Sequence, residues 1–160
     1  MDVGQIPIIS SARIPLGYID VANRSEPCIT ISSIGVGSAG KNILFHPYPI
    51  FAQNNCFSIV PKNKKLVLCK FLYYSLVNIH NLILSSIKGG AQKVLYPQDI
   101  NNLSIIIPSL EIQNYIISIL DQFNNLTSSL QDGIPAEIKL RKEQYQYYLK
   151  KLLSFNNQTK

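Results

Sequence analysis

The sequence predicts a mixed α/β fold: an α+β body with a small mixed sheet, followed by a C-terminal helical arm. Three observations carry this. Short β-favouring runs, each bounded by glycine or proline, fill the first sixty residues. A long apolar stretch from Leu66 to about Ser86 has helix length and stops at Gly89-Gly90. The last third then changes to helical periodicity, in two runs separated by Gly133-Ile134-Pro135. The body is expected over residues 1–108 and the arm over residues 109–160.

Taken in order, Met1 to Asn23 is rich in Ile, Pro and Ser, and Pro7 and Pro15 forbid a long helix. Cys28 to Ile34 reads as a strand, Gly35 to Gly40 as a glycine-rich turn, and Ile43-Leu44-Phe45 as a second strand stopped by Pro47 and Pro49. Cys56 to Val60 is a third strand, stopped by Pro61, and Lys62 to Lys65 is a basic loop. After the helix that starts at Leu66, a loop from Ala91 to Asn102 leads to an expected strand, Leu103 to Ile107. The next helix, Leu110 to Gln131, places Ile112, Ile116, Ile119, Phe123, Leu126 and Leu130 at alternating spacings of four and three. That is the seam of a helix that packs on another helix. Gly133 suits the C′ position and Pro135 the first turn of the last helix. This helix, Pro135 to about Ser154, carries Ile138, Tyr145, Leu149 and Leu152 along one side.

Composition narrows the function classes. Of 160 residues, 46% are apolar and only 15% charged, enough to bury a core and too few charges for a disordered chain. The net charge of +6 favours an anionic partner without requiring one. Cys28, Cys56 and Cys69 are widely spaced, and His46 and His80 lie near no useful partner, so no zinc site is expected. The cysteines read as reduced thiols of a cytoplasmic protein. No secretory signal is expected at the start. Leu66 to Ile87 contains Lys70, Asn78, His80 and Asn81, which argues against a membrane span.

Several motifs invite an enzymatic reading and fail it. Gly35-Val36-Gly37-Ser38-Ala39-Gly40 matches the dinucleotide fingerprint, but a strand follows where a helix is needed. No Asp or Glu lies between Glu26 and Asp99 to hold a ribose. Read instead as a phosphate-binding loop ending at Lys41, the segment has Asn42 where Ser or Thr must hold magnesium. Asp99, Glu137 and Lys139 make no convergent metal-dependent nuclease pattern. Two readings of the glycine segment stay open: a tight turn between strands, or a loop that contacts phosphate with Ser38 and Lys41 as extra donors. The same pair of readings applies to Lys88-Gly89-Gly90-Ala91-Gln92-Lys93. There Gln92 can bond adenine, and Lys88 and Lys93 can meet phosphate or a guanine edge. Tyr145 and Tyr148 share a helix face, so helix packing is favoured over stacking on bases.

The order of these pieces resembles the specificity subunit of type I restriction-modification systems. That resemblance rests on Ile107, Pro108, Leu110, Glu111 and Gln113 at the start of the arm. It extends to Pro135 to Ile138 with Arg141, Lys142, Gln144, Tyr145, Tyr147, Tyr148, Leu152 and Leu153 in the last helix. Ile31-Ser32 with Gly35 and Gly37 to Gly40, and Asp99 to Leu103, add to it. The resemblance implies a target recognition domain followed by a helical spacer, with no catalysis of its own. It implies binding to double-stranded DNA at a two-part site, methyltransferase subunits docked on the spacer, and a separate restriction and translocase subunit. S-adenosylmethionine, ATP and magnesium would belong only to those partners. Such subunits usually hold two recognition domains, and one is visible here. They normally also carry a further strand and helix ahead of the segment matching Gly4-Gln5-Ile6-Pro7. The expectation is a half-length or truncated form that pairs with itself through the helical residues above. The rival expectations are a helical protein-interaction adaptor and an inactive truncated copy.

Overall fold

A computed structural model describes residues 4–35, 37–89, 93–129 and 135–154, with the side chains at 127–129, 135, 136 and 138 outside the described set. Six strands come first: β1 (Ile6–Ile9), β2 (Tyr18–Ile19), β3 (Cys28–Ser32), β4 (Ile43–His46), β5 (Phe51–Ala52) and β6 (Cys56–Ile59). Five helices follow: α1 (Cys69–Asn78), α2 (His80–Ser85), α3 (Pro97–Asn101), α4 (Leu110–Ser129) and α5 (Pro135–Leu153). The strands form two three-stranded sheets instead of one. The first, ordered β2-β1-β5, is mixed, with β1 antiparallel to β2 and parallel to β5. The second, β4-β3-β6, is antiparallel throughout.

β3 organises the body because every one of its residues is buried. Successive side chains point to opposite faces. Ile29 and Ile31 join Ile43, Leu76, Ile83 and Leu95 in the core between the second sheet and α1–α2. Cys28 belongs to the other core, with Ile9, Ile50, Ala52 and Cys56, between the two sheets. The polar members of β3 are held by bonds: Thr30 Oγ1 pairs with His46 Nε2 at 2.8 Å, and the Ser32 hydroxyl donates to the Ser38 carbonyl. Buried polar groups without such partners would cost about 1–3 kcal/mol each.

A third core lies under the arm. Phe71 and Tyr74 of α1 pack with Ile116 and Leu120 of α4 and with Leu149 and Leu153 of α5. Leu152 and Tyr145 pack against this cluster, and Phe123 stacks on Tyr148 at 5.1 Å.

Three expectations need correction. The helix expected from Leu66 is two, because the chain turns at Ile79 between α1 and α2. Leu103 to Ile107 makes no strand ladder among the described residues; it is a connector, with Leu103 and Ile105 packed on the core and Ile106 and Ile107 exposed. The expected loop Ala91 to Asn102 contains α3, where Asp99 accepts the Tyr96 backbone N–H at 3.1 Å. The N-terminal stretch supplies β1 and β2. Gln92, Leu130, Gly133 and the side chain of Ile138 lie outside the described residues.

Candidate nucleic-acid interface

Two loops singled out in the sequence come together at one edge of the body. Past the end of β3, Ile34 bridges Val94, and Val94 bridges Lys88. The Gly35 N–H donates to the Lys93 carbonyl at 3.3 Å, and the Leu95 N–H to the Ser33 carbonyl at 2.8 Å. The glycine turn and the segment around Lys88 and Lys93 are thereby laced side by side. Lys41, Lys88 and Lys93 are exposed, and Ser38 is half-buried.

The turn itself is fixed from within. Gly35, Gly37 and Gly40 all have positive φ. The Ser38 and Ala39 N–H groups share the Gly35 carbonyl, Gly40 N–H bonds the Ser32 carbonyl at 2.7 Å, and Lys41 N–H bonds the Ser38 carbonyl at 3.0 Å. The Asn42 N–H goes to Ser32 Oγ. The turn's amides are therefore largely committed to the fold. What the turn leaves turned outward is side chains, with Lys41 exposed. Gly40 also anchors the turn to α2, since its carbonyl sits 2.8 Å from His80 Nε2. A Cβ there would meet Ile87 Cδ1 at 2.9 Å. Ser38 Oγ reaches back to the Ile34 carbonyl at 3.3 Å. The exposed Lys88 pairs at 3.2 Å with the largely buried carboxylate of Asp99, which also accepts the Tyr96 N–H.

Besides the core beneath it, the arm is tied to the body by one polar residue that the apolar pattern hides. Gln113 is fully buried. Its Oε1 accepts the Leu68 N–H at 2.9 Å, and Nε2 donates to the carbonyls of Leu66 and Pro108, both at 2.8 Å. It thus ties the start of α1, the end of the connector and the first turn of α4. Farther along, Asp121 accepts bonds from Lys70 at 2.7 Å and from the Tyr74 hydroxyl at 2.5 Å. Burial, reinforced by that bond, pushes the Tyr74 hydroxyl pKa well above its ordinary value, so it stays a donor.

The helical residues read from the sequence divide into two sets. Ile116 is buried, and Phe123, Tyr145 and Leu152 are partly buried within the chain's own helical packing. Ile112 and Leu126 are exposed, Ile119 is half-buried, and Tyr148 is exposed beyond its stacking on Phe123. The inward face of α4 is Gln113, Ile116 and Leu120, one position round from the expected seam over much of its length.

Among the described residues no three His, Cys, Asp or Glu converge on a metal position, and no helix is long and apolar enough to cross a membrane. Burial pushes the Cys28 and Cys56 thiols up and that of Cys69 to about 11, so none is an activated nucleophile at neutral pH.

The described residues thus form an α/β body with a basic loop edge, packed on a helical arm. Residues 1–140 match the type I restriction modification DNA specificity domain, and the chain belongs to that family. It is 35% identical over 109 residues to the Escherichia coli type I restriction enzyme EcoR124I/EcoR124II specificity subunit, covering 67% of this chain and 26% of that protein. It is 37% identical over 153 residues to the Mycoplasma pneumoniae type I restriction enzyme MpnII specificity subunit, covering 91% of this chain and 43% of that protein. The crystal structure of a type I restriction-modification system S subunit from M. genitalium shares the fold, with a TM-score of 0.67 at 22% identity over 88% of this chain and 37% of that one. The chain thus spans less than half the length of each of these relatives.

Proposed function

We propose that this chain reads one half of a two-part DNA site and directs partner methyltransferase and restriction subunits to it, with no chemistry of its own. The observation that carries this reading is the lacing of the glycine turn to the Lys88–Lys93 segment, which sets Lys41, Lys88 and Lys93 along one edge. Phosphate contacts from these side chains set position, while loop side chains reach the base edges. Gln92 remains the candidate for adenine. α4, with 20 residues, is about 30 Å long, close to the ~34 Å of one DNA turn. An arm of that length holds two readers on successive turns. The exposed apolar side chains of the arm, Ile112, Leu126 and Tyr147, suit a second copy of the chain or a methyltransferase.

Methylome sequencing of cells co-expressing the chain with a candidate methyltransferase partner tests this. A two-part palindromic site supports a symmetric pair of copies, and an asymmetric one supports pairing with a different recognition domain. No new methylation from a folded, methyltransferase-bound chain refutes DNA reading. The adaptor reading is favoured by one observation, an apolar groove of about 860 Å³ lined by Val60, Leu66, Val67, Ile107 and Leu110 beside the start of the arm. Partner affinity independent of salt would select it, because DNA contacts release counterions.

A further inference from the structure

A second concave site lies between the edge strand β4 and the arm, with a volume of about 430 Å³. Arg13, Tyr48, Lys70, Tyr73 and His46 line it, and the Asp121 carboxylate closes one side. Arg13 is exposed and has no hydrogen-bond or ion-pair partner among the described residues. Lys70 is held in place: Asp121 grips it at 2.7 Å and its ammonium stands 5.6 Å from the centre of the Phe45 ring. An ammonium has three donors, and Asp121 takes one of them. The Tyr73 ring is fixed against Phe45 and Tyr74, with ring centres 5.9 and 5.1 Å apart, while its hydroxyl has no partner among the described residues. His46 is buried, and burial keeps it neutral. The concavity therefore holds two cations against one carboxylate, with spare N–H and O–H donors turned to a common space.

We infer that this pocket binds a phosphate oxyanion, clamped by Arg13 and Lys70 with the Tyr73 hydroxyl as a third donor. The chemistry does not depend on the DNA reading, since the phosphate can come from a nucleic-acid backbone or be free in solution. Position in the fold connects it to the first source. β4 has the glycine turn at one end and His46 at the other, a run of roughly 13 Å at ~3.3 Å per residue. That is about four nucleotide steps at ~3.4 Å, so one strand of a duplex lying along this edge would meet Lys41 and the pocket together.

The test uses the full chain, with Arg13→Gln and Tyr73→Phe as variants. Arg13 is exposed and Phe keeps the ring contacts of Tyr73, so both variants retain the fold. Lys142→Gln, an exposed change on α5, is the control. Two arms run in parallel: NMR titration with inorganic phosphate, following the Tyr73 and His46 rings, and duplex binding against salt concentration. Saturable ring shifts in the parent, weakened at least severalfold in both variants, support the pocket with free phosphate as ligand. A salt slope reduced by about one in Arg13→Gln and unchanged in Lys142→Gln supports a backbone phosphate as the ligand. No saturable shift together with an unchanged slope overturns the proposal. A parent that binds no duplex at all counts against the proposed function, and the phosphate titration still decides the pocket.

Discussion

Replacing Gln113 by leucine removes the polar tie between arm and body with a change of almost constant volume. Gln113 makes three bonds of 2.8–2.9 Å in a site closed to solvent. Each lost bond costs about 0.5–1.5 kcal/mol, and the Leu68 N–H left unpaired at the start of α1 adds about 1–3 kcal/mol. The apolar side chain recovers about 1–2 kcal/mol by its own burial. The central values of these terms give a net loss of about 3–4 kcal/mol. For a chain of this size each kcal/mol lowers Tm by about 2–4 °C, so a fall near ~10 °C is expected by calorimetry or circular dichroism. Gln113→Glu supplies an independent sign test. A carboxylate accepts from Leu68 but sets negative charge against two carbonyl oxygens, so it is held protonated and its folded pKa is raised. Its stability relative to Gln113→Leu is then present at low pH and lost as pH rises through that folded pKa. A Gln113→Leu protein within about 0.5 kcal/mol of the parent would refute the idea that this side chain joins arm to body.

Gly40→Ala places a Cβ at φ +69° and 2.9 Å from Ile87 Cδ1. It should cost about 1–3 kcal/mol in urea denaturation while leaving α4–α5 helicity intact. Lys41→Gln should weaken duplex binding equally for all sequences and reduce the salt slope by about one, read by fluorescence anisotropy. His46 has a folded pKa below its ordinary 6.5 because of burial. The unfolded chain therefore binds the extra proton first as pH falls below that value, and stability declines in that window. His46→Gln should flatten this decline in denaturation curves measured across it.

How much of the fold is legible in the sequence depends on the length of each pattern. β3, β4 and β6 are runs of four or five β-favouring residues with turn signals at both ends, and they lie close to where the sequence puts them. β2 and β5 have two residues each, too short for any period to register, and β1 carries Pro7. α3 does carry a start signature, Pro97 in the first turn and Asp99 two residues on, inside an otherwise loop-like stretch. The connector after it, Leu103 to Ile107, has the composition of a strand but no neighbouring strand among the described residues, and a strand exists only in a ladder. On α4 the apolar pattern selects Ile112, whereas the chain buries Gln113, because three backbone groups at the joint require a polar partner. Hydrophobic periodicity has no means of registering that demand. The edge shared by Lys41 and Lys93 depends on the bridge from Ile34 to Val94, far apart in the chain, which no local signal encodes.

The glycine turn takes its shape from backbone groups, from Ser32 and from the anchor to α2. The side chain at position 41 contributes only its outward end. Residues at such a site are interchangeable parts on a fixed mount. A lineage can replace them one at a time, changing the charge and chemistry of this edge, without passing through an unfolded intermediate.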